Sequence, residues 1–537
     1  MVLFLIVYCI YVIYRSTEAM HMLQQNLYNE NNRYLKWVKK NLKRAFSIID
    51  FVPIILFLLV YVIEDKHILD LVLIGSMFIY IFGIIIEYRR NQSNQNKLPL
   101  KATGRIKRLF TAHILIYGIA IYFTVTATNQ NIVPLFLILL SVLLGFVYYV
   151  VEVANLLNAP INKLVYLHYF RKAKNKLKSY ADLSVVGVTG SYGKTSSKNI
   201  LNAILSNKYI TRPTPKNFNT PYGLMITINN YMDKFDQILI AEMGAYVRGE
   251  IKGLCDFVKP KYGILTIIGE AHMATFGSQE NIQKAKFELI ESLPSDGIAI
   301  LNMDDPLQVS YPLKNKVKVK WIAIENDKAD VYAKNVKCTK DGMEFDCYYA
   351  GGNVHLKTRL LGSYNIYNII AAIALGLELG VNINDIKSSV AALKSTEHRL
   401  ELKKVGDIYM LDDAYNSNPV GASGALDVLK SMPGTRVVVT PGMIELGELE
   451  DKKNYEFGVK MASCADYVIL IGEKKTKVIH DALIDNKFEK DSIFVLNNVS
   501  EAFDVINALK EEGVDIYALF ENDLPDIYME GKKWKLN

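Results

Sequence analysis

The stretch Gly187-Val-Thr-Gly-Ser-Tyr-Gly-Lys-Thr-Ser196 decides the fold of the larger part of this 537-residue chain. Ser184-Val-Val186 before it predicts a short buried strand, and the residues from Ser197 to Leu205 predict an amphipathic helix. A glycine-rich turn between strand and helix that ends in Gly-Lys-Thr is typical of a phosphate-binding loop, because backbone N–H groups and the helix N-terminus face the anion. The lysine adds a cation, and the threonine hydroxyl can hold Mg²⁺.

The loop departs from the strict pattern G-x-x-x-x-G-K-[ST], because Val188 stands where the first glycine is expected. An ordinary strand–helix turn with a chance Gly-Lys-Thr is the alternative interpretation, and the flanking strand and helix favour the nucleotide site. The residues expected to bind ATP are Gly190, Ser191, Tyr192, Gly193, Lys194, Thr195 and Ser196.

The first 160 residues are rich in apolar runs, which lie at about 1–14, 46–63, 68–87, 109–127 and 132–153. A helix needs about 20 apolar residues to span a bilayer. The last three runs meet that length, the second is slightly short, and the first is the weakest. The first run lacks a basic leader and an A-x-A cleavage site, which favours a signal anchor over a removed signal peptide. About five spans are predicted.

Segments rich in basic residues lie between some of these apolar runs, and other loops between them carry almost no charge of that kind. Segments 15–45 and 88–108 carry seven Lys and Arg each, whereas the loops at 64–67 and 128–130 share one lysine. By the positive-inside rule, the basic segments and everything after residue 154 are predicted to be cytoplasmic. A multi-pass protein of the cell membrane, in contact with the lipid bilayer and with its catalytic domains in the cytoplasm, is expected.

The net charge of +7 says little about nucleic acid, because the basic residues cluster where anionic headgroups attract them. The soluble part has no basic stripe with stacking aromatic residues, so no nucleic-acid partner is expected. The five cysteines show no metal-ligand spacing, which agrees with a reducing cytosol. Asp50 and Asp70 lie in or near the apolar runs, where an acid can mark a transport path. Solvated helix ends are expected for both.

After residue 160 the chain alternates short apolar strands with helices, which predicts an α/β class with parallel sheets. The predicted strands are 183–188, 237–242, 263–268, 297–302, 408–412, 436–440 and 467–471, with a β-meander in 318–361 and an Ala-rich helix at 369–379. The predicted organisation is a helical transmembrane region (1–160), a basic juxtamembrane linker (161–182), a P-loop-type ATPase domain with a parallel sheet (183–395) and a C-terminal Rossmann-like α/β domain (396–537).

The motifs of the soluble part resemble, in order and over about 260 residues, those of the Mur ligases, ATP-dependent amide-bond synthetases of bacterial cell-wall assembly. They are most similar to the members that add D-alanyl-D-alanine. The matching segments are 190–196, 214–219, 241–244 with 249–250, 269–272, 276–278, 286–288, 301–306, 365–368, 398–401, 412–419 and 442–447.

The resemblance implies that a carboxylate is activated as an acyl phosphate, a step that depends on positioning and on neutralising negative charge. It implies that Lys194 and Thr195 serve the phosphates and one Mg²⁺, and that Glu242 is a carboxylate ligand of that ion. His272 matches the ligand of a second Mg²⁺. Lys286 aligns with a lysine that carries a carbamate, a further ligand to the metal.

Each of these residues also has an ordinary interpretation. A lone histidine like His272 is more often a satisfied core or surface residue, and Lys284 is easily confused with Lys286. The Phe-Glu that follows Lys286 favours that residue. Glu242 in its apolar stretch is unlikely to be structural, since a buried carboxylate needs a cationic partner. Glu250 is expected to cap or pair at the start of a helix.

Asn365 and Asn368 resemble a pair that contacts adenine at the head of a helix, with an ordinary N-cap as the alternative. Arg399 and Asp413 resemble residues of the last domain that close over the phosphates and the ribose side of ATP, and Asn416 matches the position next to them. That arrangement requires a hinge closure, which keeps water away from the acyl phosphate.

Some features depart from the family pattern. Ile267 stands where asparagine is common, Ser363-Tyr364 replaces a common Arg-His, and Phe520-Glu-Asn522 begins the segment that replaces a C-terminal Lys-Gly-Ser. The apolar runs stand in place of the family's UDP-binding domain. The motifs therefore predict the ligase core, and they do not identify the acceptor or the incoming amine.

The expected function is an ATP-dependent peptide ligase of peptidoglycan precursor synthesis and cell-wall biogenesis. Its partners would be a muramoyl-peptide precursor and an amine donor such as D-alanyl-D-alanine. One alternative is a ligase that acts on a lipid-linked muropeptide. Another is an ATP-driven transporter, against which the apolar runs show no paired charges or evident inverted repeats. A regulator without turnover is disfavoured by the intact motif residues, and the oligomeric state is left open.

Overall fold

The structure is a computed structural model that describes residues 1–93, 99–129, 131–180, 182–415, 417–444 and 446–522. The chain divides into two compact units, of which the first covers Met1–His168 and the second begins at Tyr169.

The first unit is helical. Its helices are α1 (Val2–Gln25), α2 (Arg33–Lys40), α3 (Leu42–Ala45), α4 (Ile48–Ile63), α5 (Lys66–Ser93), α6 (Gly104–Thr126), α7 (Val133–Gly145), α8 (Val147–Leu157) and α9 (Ala159–Lys178). Because α9 continues into the second unit, most of the segment expected to be a linker is helical. In the part of the chain that the structure describes, three helices are long and apolar enough to cross a membrane: α1, Lys66–Arg89 of α5, and α6.

The last apolar run forms two helices rather than one. α7 and α8 meet at an angle of 85° and pass the length and hydropathy test only as a pair. Gly145 stands at the break, and a Cβ atom there would lie 2.9 Å from a ring carbon of Phe51. α4 is a shorter apolar helix, so the described residues give three candidate spans, or four with the bent pair, instead of the expected five.

A buried ionic cluster joins three helices of the first unit. The guanidinium of Arg15 in α1 lies 3.0 Å from Asp50 in α4 and 3.2 Å from Glu87 in α5. The hydroxyl of Tyr11 donates to Asp50 at 2.7 Å. Asp50 is fully buried, so the expectation of a solvated helix end is wrong for this residue, because Arg15 neutralises it. Asp70 is exposed near the start of α5, as expected.

The second unit begins with a nine-stranded sheet in the order β2-β3-β1-β4-β5-β6-β7-β8-β9. The strands are β1 (Ser184–Thr189), β2 (Thr211–Pro213), β3 (Ile238–Glu242), β4 (Tyr262–Leu265), β5 (Ile298–Asn302), β6 (Lys318–Ala323), β7 (Val331–Thr339), β8 (Gly342–Tyr349) and β9 (Gly352–Thr358). All pairs up to β6–β7 are parallel, and β7 to β9 form the expected meander. β6 was expected in that meander, but it pairs in parallel with β5.

Helices cover this sheet. They are α10 (Lys194–Leu205), α11 (Pro221–Ile226), α12 (Glu250–Val258), α13 (Met273–Phe276), α14 (Gln279–Glu291), α15 (Pro306–Val309), α16 (Tyr364–Glu378) and α17 (Ile383–Ala392). The predicted Ala-rich helix is α16, which begins five residues earlier than expected. β1 and β3 are almost entirely buried, which explains their unbroken apolar sequence, since both faces of a parallel sheet are covered.

A six-stranded sheet follows, in the order β10-β11-β15-β12-β13-β14. Its elements are β10 (Glu401–Val405), β11 (Ile408–Asp413), α18 (Pro419–Lys430), β12 (Thr435–Thr440), α19 (Glu450–Ala462), β13 (Tyr467–Ile471), α20 (Glu473–Asp485), β14 (Ile493–Leu496), α21 (Val499–Ala508) and β15 (Ile516–Glu521). Only the pairing of β10 with β11 is antiparallel. The predicted α/β class with two parallel-sheet domains is confirmed.

Candidate active site

The phosphate-loop residues lie between β1 and α10, and their backbone conformation requires glycine. Gly190 and Gly193 have φ values of +152° and +77°. A Cβ atom on Gly190 would stand 1.9 Å from Oγ1 of Thr266. The N–H of Ser191 donates to the carbonyl of Ile267 at 2.7 Å, which braces the loop against the segment after β4. The glycines and this contact therefore fix the backbone of the loop at the carboxyl end of the sheet, where phosphate-binding loops lie.

Lys194 and Thr195 begin α10 at this loop. Nζ of Lys194 donates to the carbonyls of Gly190 and Ser191, at 2.8 and 3.0 Å. Burial lowers the pKa of Lys194 to about 8, and the charge of Arg399 acts in the same direction, whereas Glu242 opposes the shift. A partly desolvated cation at a helix N-terminus is suited to an anionic ligand.

Glu242 is the last residue of β3 and is 1% exposed. Its carboxylate oxygens both lie 3.1 Å from the Thr195 hydroxyl, and the amide of Asn219 donates to it at 3.2 Å. Nζ of Lys198 lies 3.0 Å from Oε2 and also donates to the carbonyl of Lys216. Sequence reasoning missed Lys198, which is the cationic partner that a buried Glu242 requires. Its place on α10, one turn after Lys194, was the available signal.

Lys286 and Lys284 are clearly separated by their surroundings. Lys286 in α14 is 2% exposed, and its Nζ lies 5.5 Å from the ring centroid of Phe276. Burial lowers its pKa to about 7, and the charge of Lys194 contributes to the shift. Lys284 is exposed and pairs with Glu280 at 2.5 Å. The buried lysine is the one that the motif indicated.

His272 precedes α13 in a left-handed conformation, with φ +57°. Its ring centroid lies 4.4 Å from that of Tyr246. Within the described residues, no group of three or more His, Cys, Asp and Glu side chains is placed to hold a metal ion. Mg²⁺ often binds through one or two carboxylates together with phosphates and water. Glu242 with Thr195 therefore suits such an ion without a full protein cage.

Glu250 is the first residue of α12 and pairs with the preceding loop rather than capping the helix, whose N-cap residue is Gly249. Its Oε2 accepts the backbone N–H groups of Tyr246 and Val247, at 2.7 and 3.2 Å. Glu288, whose role was not foreseen, accepts the N–H groups of Gly249 and Lys252, at 2.6 and 3.0 Å. Glu250 therefore holds the loop before α12, and Glu288 stabilises the N-terminus of that helix.

Asn365 and Asn368 are buried in the first turns of α16, behind the phosphate loop. Oδ1 of Asn368 accepts the hydroxyl of Ser197 at 2.7 Å, and its Nδ2 donates to Asn365 at 3.2 Å. A Cβ atom on Gly193 would lie 3.0 Å from the same Oδ1. The N-cap alternative is wrong, because Ser363 occupies that position. The pair supports the loop and the start of α10.

Arg399 and Asp413 come from the C-terminal domain. The guanidinium of Arg399 lies 4.6 Å from the ring centroid of Tyr415. Asp413 accepts the N–H of Leu400 at 3.1 Å, and burial raises its pKa to about 6. It stands opposite Glu521 in the register of β11 and β15. Asn416, which was also expected at the nucleotide, lies outside the described residues.

Three polar contacts join the two domains of the second unit around the loop. Nδ2 of Asn199 donates to the hydroxyl of Thr396 at 3.1 Å, and Lys453 pairs with Glu270 at 3.3 Å. The amide of Asn217 also donates to the hydroxyl of Tyr415. The C-terminal domain therefore lies against the phosphate loop.

Two of the departures from the family pattern can be placed. The ring of Tyr364 packs on α18, where a Cβ atom on Gly424 would lie 2.8 Å from it. At the end of β15, Phe520 is buried, and Nδ2 of Asn522 donates to the carbonyl of Gly442 at 2.6 Å. Both substitutions therefore contribute to packing around the site.

The sequence matches two protein-family profiles, the Mur ligase middle domain over residues 188–376 and the glutamate ligase domain of Mur ligases over residues 398–518. It is 33% identical over 332 residues to the UDP-N-acetylmuramoyl-tripeptide–D-alanyl-D-alanine ligase of Bacillus subtilis, a match that covers 61% of this chain and 70% of that enzyme. The chain belongs to the Mur ligase family.

The enzyme of the same name from Escherichia coli is 33% identical over 293 residues, which is 54% of this Mur ligase and 65% of that relative. Among solved structures, the MurF ligase of Thermotoga maritima in complex with ADP superposes with a TM-score of 0.59 at 26% identity. That match covers 68% of this chain and 81% of the other. The chain thus spans about two thirds of the length of these curated relatives.

Family membership confirms the expected enzyme class, since Mur ligases form peptide bonds with conversion of ATP to ADP and phosphate. The residues present suit the nucleotide. The backbone of the phosphate loop, Lys194 at a helix N-terminus and the Thr195–Glu242 pair are the groups that bind nucleotide phosphates and Mg²⁺. When bound, ATP supplies the phosphoryl group that activates the carboxylate, and Mg²⁺ neutralises charge on the phosphates.

Proposed function

We propose that this Mur ligase joins D-alanyl-D-alanine to the terminal carboxylate of a UDP-linked muramoyl tripeptide, in peptidoglycan precursor synthesis. The observation that carries the proposal is the similarity to the UDP-N-acetylmuramoyl-tripeptide–D-alanyl-D-alanine ligases of two bacteria. The phosphate loop with Lys194, together with the buried Glu242 and Lys286, supports it. A carboxylate oxygen of the acceptor bonds to the γ-phosphorus as the bond to ADP breaks. The amine then bonds to the carbonyl carbon, and phosphate and a proton leave.

The residues of the chain contribute mainly electrostatics and exclusion of water. The loop N–H groups and Lys194 hold the phosphates, and Arg399 is placed to neutralise charge that develops during transfer. Thr195 and Glu242 would hold Mg²⁺. The C-terminal domain covers the loop through its contacts at Asn199 and Asn217, which limits access of water to the activated acyl group.

We also propose that Lys286 carries a carbamate. A carbamate forms from a neutral amine and CO₂, and burial keeps much of Lys286 neutral near pH 7. Carbamate formation replaces the ammonium of Lys286, which Lys194 repels, with an anion that Lys194 attracts. It also supplies a carboxylate-like metal ligand. We propose His272 as the ligand of a second Mg²⁺.

We propose a membrane location for the first unit, with the second unit in the cytoplasm. Three long apolar helices and the basic segments between apolar runs support it. The same helices favour one second candidate, a ligase that acts on a lipid-linked muropeptide. Arg15, Asp50 and Glu87 form paired, buried charges in the first unit, so a lack of such pairs no longer argues against a transporter. Membership of the Mur ligase family is the argument that remains.

The experiment is ligation by the purified full-length enzyme in detergent. With ATP, Mg²⁺, the UDP-linked tripeptide and D-alanyl-D-alanine, we expect one ADP for each pentapeptide product, identified by mass. Lipid-linked tripeptide is the parallel acceptor. Product from the lipid-linked form alone supports the second candidate, and no product from either acceptor contradicts the ligase assignment.

A further inference from the structure

A patch of exposed apolar side chains lies on the second unit, at the amino end of its nine-stranded sheet. Ile210 directly precedes β2, and its backbone N–H donates to the side chain of Gln237, which directly precedes β3. Phe235 lies two residues before Gln237, and Tyr231 ends a π-helical turn that follows α11. Phe235, Ile210 and Tyr231, the apolar patch, are 63%, 51% and 48% exposed. Large apolar groups grouped on a surface mark an interaction site.

The second half of α9 packs beside this patch. Nζ of Lys176 donates to the carbonyl of Met232 at 2.8 Å, directly after Tyr231. The ring centroid of Phe170 lies 4.5 Å from that of Phe257 at the end of α12. One side of α9 is therefore held against the second unit, at the same end of the sheet as the apolar patch.

The exposed side of α9 is basic. Its exposed cations, here called the basic face, are Arg171, Lys172, Lys174 and Lys178. The sequence of α9 contains no acidic residue. Lys234 adds a cation to the apolar patch, with Nζ 4.8 Å from the ring centroid of Phe235. The exposed Asp233 accepts the N–H of Phe235 at 3.2 Å, and it is outnumbered by these cations.

A lipid bilayer with anionic headgroups matches both features. Such headgroups attract clusters of Lys and Arg, and aromatic and aliphatic side chains beside a cluster enter the interface. α9 also continues without a break from the first unit, whose apolar helices we place in the membrane. The chain itself therefore keeps the basic face close to a bilayer surface.

We propose that the basic face and the apolar patch bind the surface of an anionic bilayer, with the side chains of the patch in the headgroup layer. The inference rests on the proposed membrane location and adds the orientation of the catalytic part. The patch precedes β2 and β3, whereas the phosphate loop follows β1, and these strands are parallel. Because β1 has six residues, the loop stands about 20 Å further from the bilayer than the patch.

This orientation turns the phosphate loop towards the cytoplasm. ATP and a soluble acceptor then reach the loop without crossing the headgroup layer. A lipid-linked acceptor would have to extend its peptide over the length of the strands. The surface therefore bears on which of the two acceptors the enzyme can use.

The test is quenching of tryptophan fluorescence by brominated lipid, with the full-length protein in vesicles. Phe235→Trp places a probe in the apolar patch, and wild type gives the signal of the three native tryptophans. In brominated phosphatidylcholine mixed with phosphatidylglycerol, we expect the added tryptophan to lose about half of its fluorescence, because it enters the interface. Val405→Trp, at an exposed apolar position of the C-terminal domain, is the matched control and should keep its fluorescence.

A second comparison tests the role of charge. Brominated phosphatidylcholine alone should quench the Phe235→Trp probe much less, because the basic face has no anionic partner there. Lys172→Gln with Lys174→Gln should reduce quenching in the anionic vesicles, whereas the two arginine replacements should preserve it. Tyr231→Trp replaces Phe235→Trp if ADP binding shows that the latter is not folded.

Flotation of the protein with the vesicles reports the membrane location separately. Protein that does not float contradicts both the membrane location and the surface proposal. If it floats and the patch probes are quenched no more than Val405→Trp, the surface proposal is overturned and the membrane location stands. Dimers in detergent would then assign the patch to a second copy of the chain. Equal quenching in neutral and anionic vesicles would overturn the role of the basic face.

Discussion

Lys198 and Glu242 form a buried ion pair at the end of β3, with Nζ 3.0 Å from Oε2 and each side chain 1% exposed. The ammonium occupies the side of Glu242 next to Thr195, which would hold Mg²⁺. The pair keeps a buried carboxylate neutralised when no divalent ion is bound. Removing one member of such a pair costs about 3–5 kcal/mol.

Lys198→Met should therefore destabilise the metal-free enzyme strongly, and MgADP should restore more stability to the variant than to wild type. Thermal unfolding with EDTA and with MgADP measures both effects. Lys387→Met, at an exposed position of α17, is the control. An equal shift by MgADP in variant and wild type would contradict the role of Lys198 as a substitute cation.

Lys194→Ala should leave the fold intact and remove nearly all ATP turnover. Loss of one preorganised group that stabilises transition-state charge lowers rates by about 10²–10³-fold. Release of ADP during ligation is the measurement, with circular dichroism as the check on folding. Near-normal turnover would show that the loop does not bind the reacting phosphates.

Lys286→Ala should be inactive and partly restored by a small carboxylate such as acetate, because the carboxylate can refill the position of the carbamate. Wild-type activity should fall when CO₂ and bicarbonate are removed. It should also fall as the pH drops below about 7, where the amine becomes protonated. Lys284→Ala is the control, since that lysine is exposed. An active Lys286→Ala with an inactive Lys284→Ala would reverse the assignment.

Glu521→Gln should stabilise the protein at neutral and alkaline pH. Burial raises the pKa of Glu521 and, to about 6, that of Asp413. The charge of Asp413 raises the pKa of Glu521 further, whereas a hydrogen bond from Glu521 lowers that of Asp413. The folded chain therefore keeps protons that the unfolded chain has released, so stability falls as the pH rises above about 4, up to about pH 6 for Asp413 and further for Glu521. Replacing Glu521 with glutamine should remove the contribution of this residue to the loss of folding stability, on the order of 1–3 kcal/mol.

Unfolding midpoints of wild type and Glu521→Gln between pH 4 and 8 check this expectation, with Glu512→Gln at an exposed position as the control. The two curves should separate as the pH rises. Parallel curves would mean that the pKa of Glu521 is not raised in the folded protein.

A chain that begins at Ala159 keeps α9 and the whole second unit, and it should bind ADP as the full-length enzyme does. The truncated and full-length chains should use a UDP-linked acceptor about equally well in detergent. A lipid-linked acceptor would show a higher KM with the truncated chain, because tethering supplies an effective concentration of about millimolar order. Isothermal titration with ADP and paired KM measurements decide between these outcomes.

Local sequence patterns were sufficient to predict the phosphate loop and the carboxylate at the end of β3. They also contained an unused signal for Lys286. Ile282, Lys286 and Leu289 follow the i, i+4, i+7 spacing of the buried face of α14, and Lys284 does not. Helical phase alone therefore separates the two lysines.

Contacts between distant segments could not be predicted in the same way. Lys198 meets Glu242 across 44 residues of chain, and only the folded sheet brings them together. Arg15 was assigned to a basic loop by composition, but α1 continues to Gln25 and buries it. At the bend after Gly145, the ring of Phe51 from another helix leaves no room for a Cβ atom. In each case a partner outside the local pattern decides the structure.

The cluster around Arg15 also constrains the order in which the first unit can assemble. Asp50 and Glu87 follow Arg15 by 35 and 72 residues. At a synthesis rate of roughly 5–20 residues per second, the second carboxylate emerges about 4–14 s after the arginine. An arginine without its partners is costly in an apolar environment. α1 therefore reaches its final place only after α4 and α5 have been made, and the first unit matures as a group of helices.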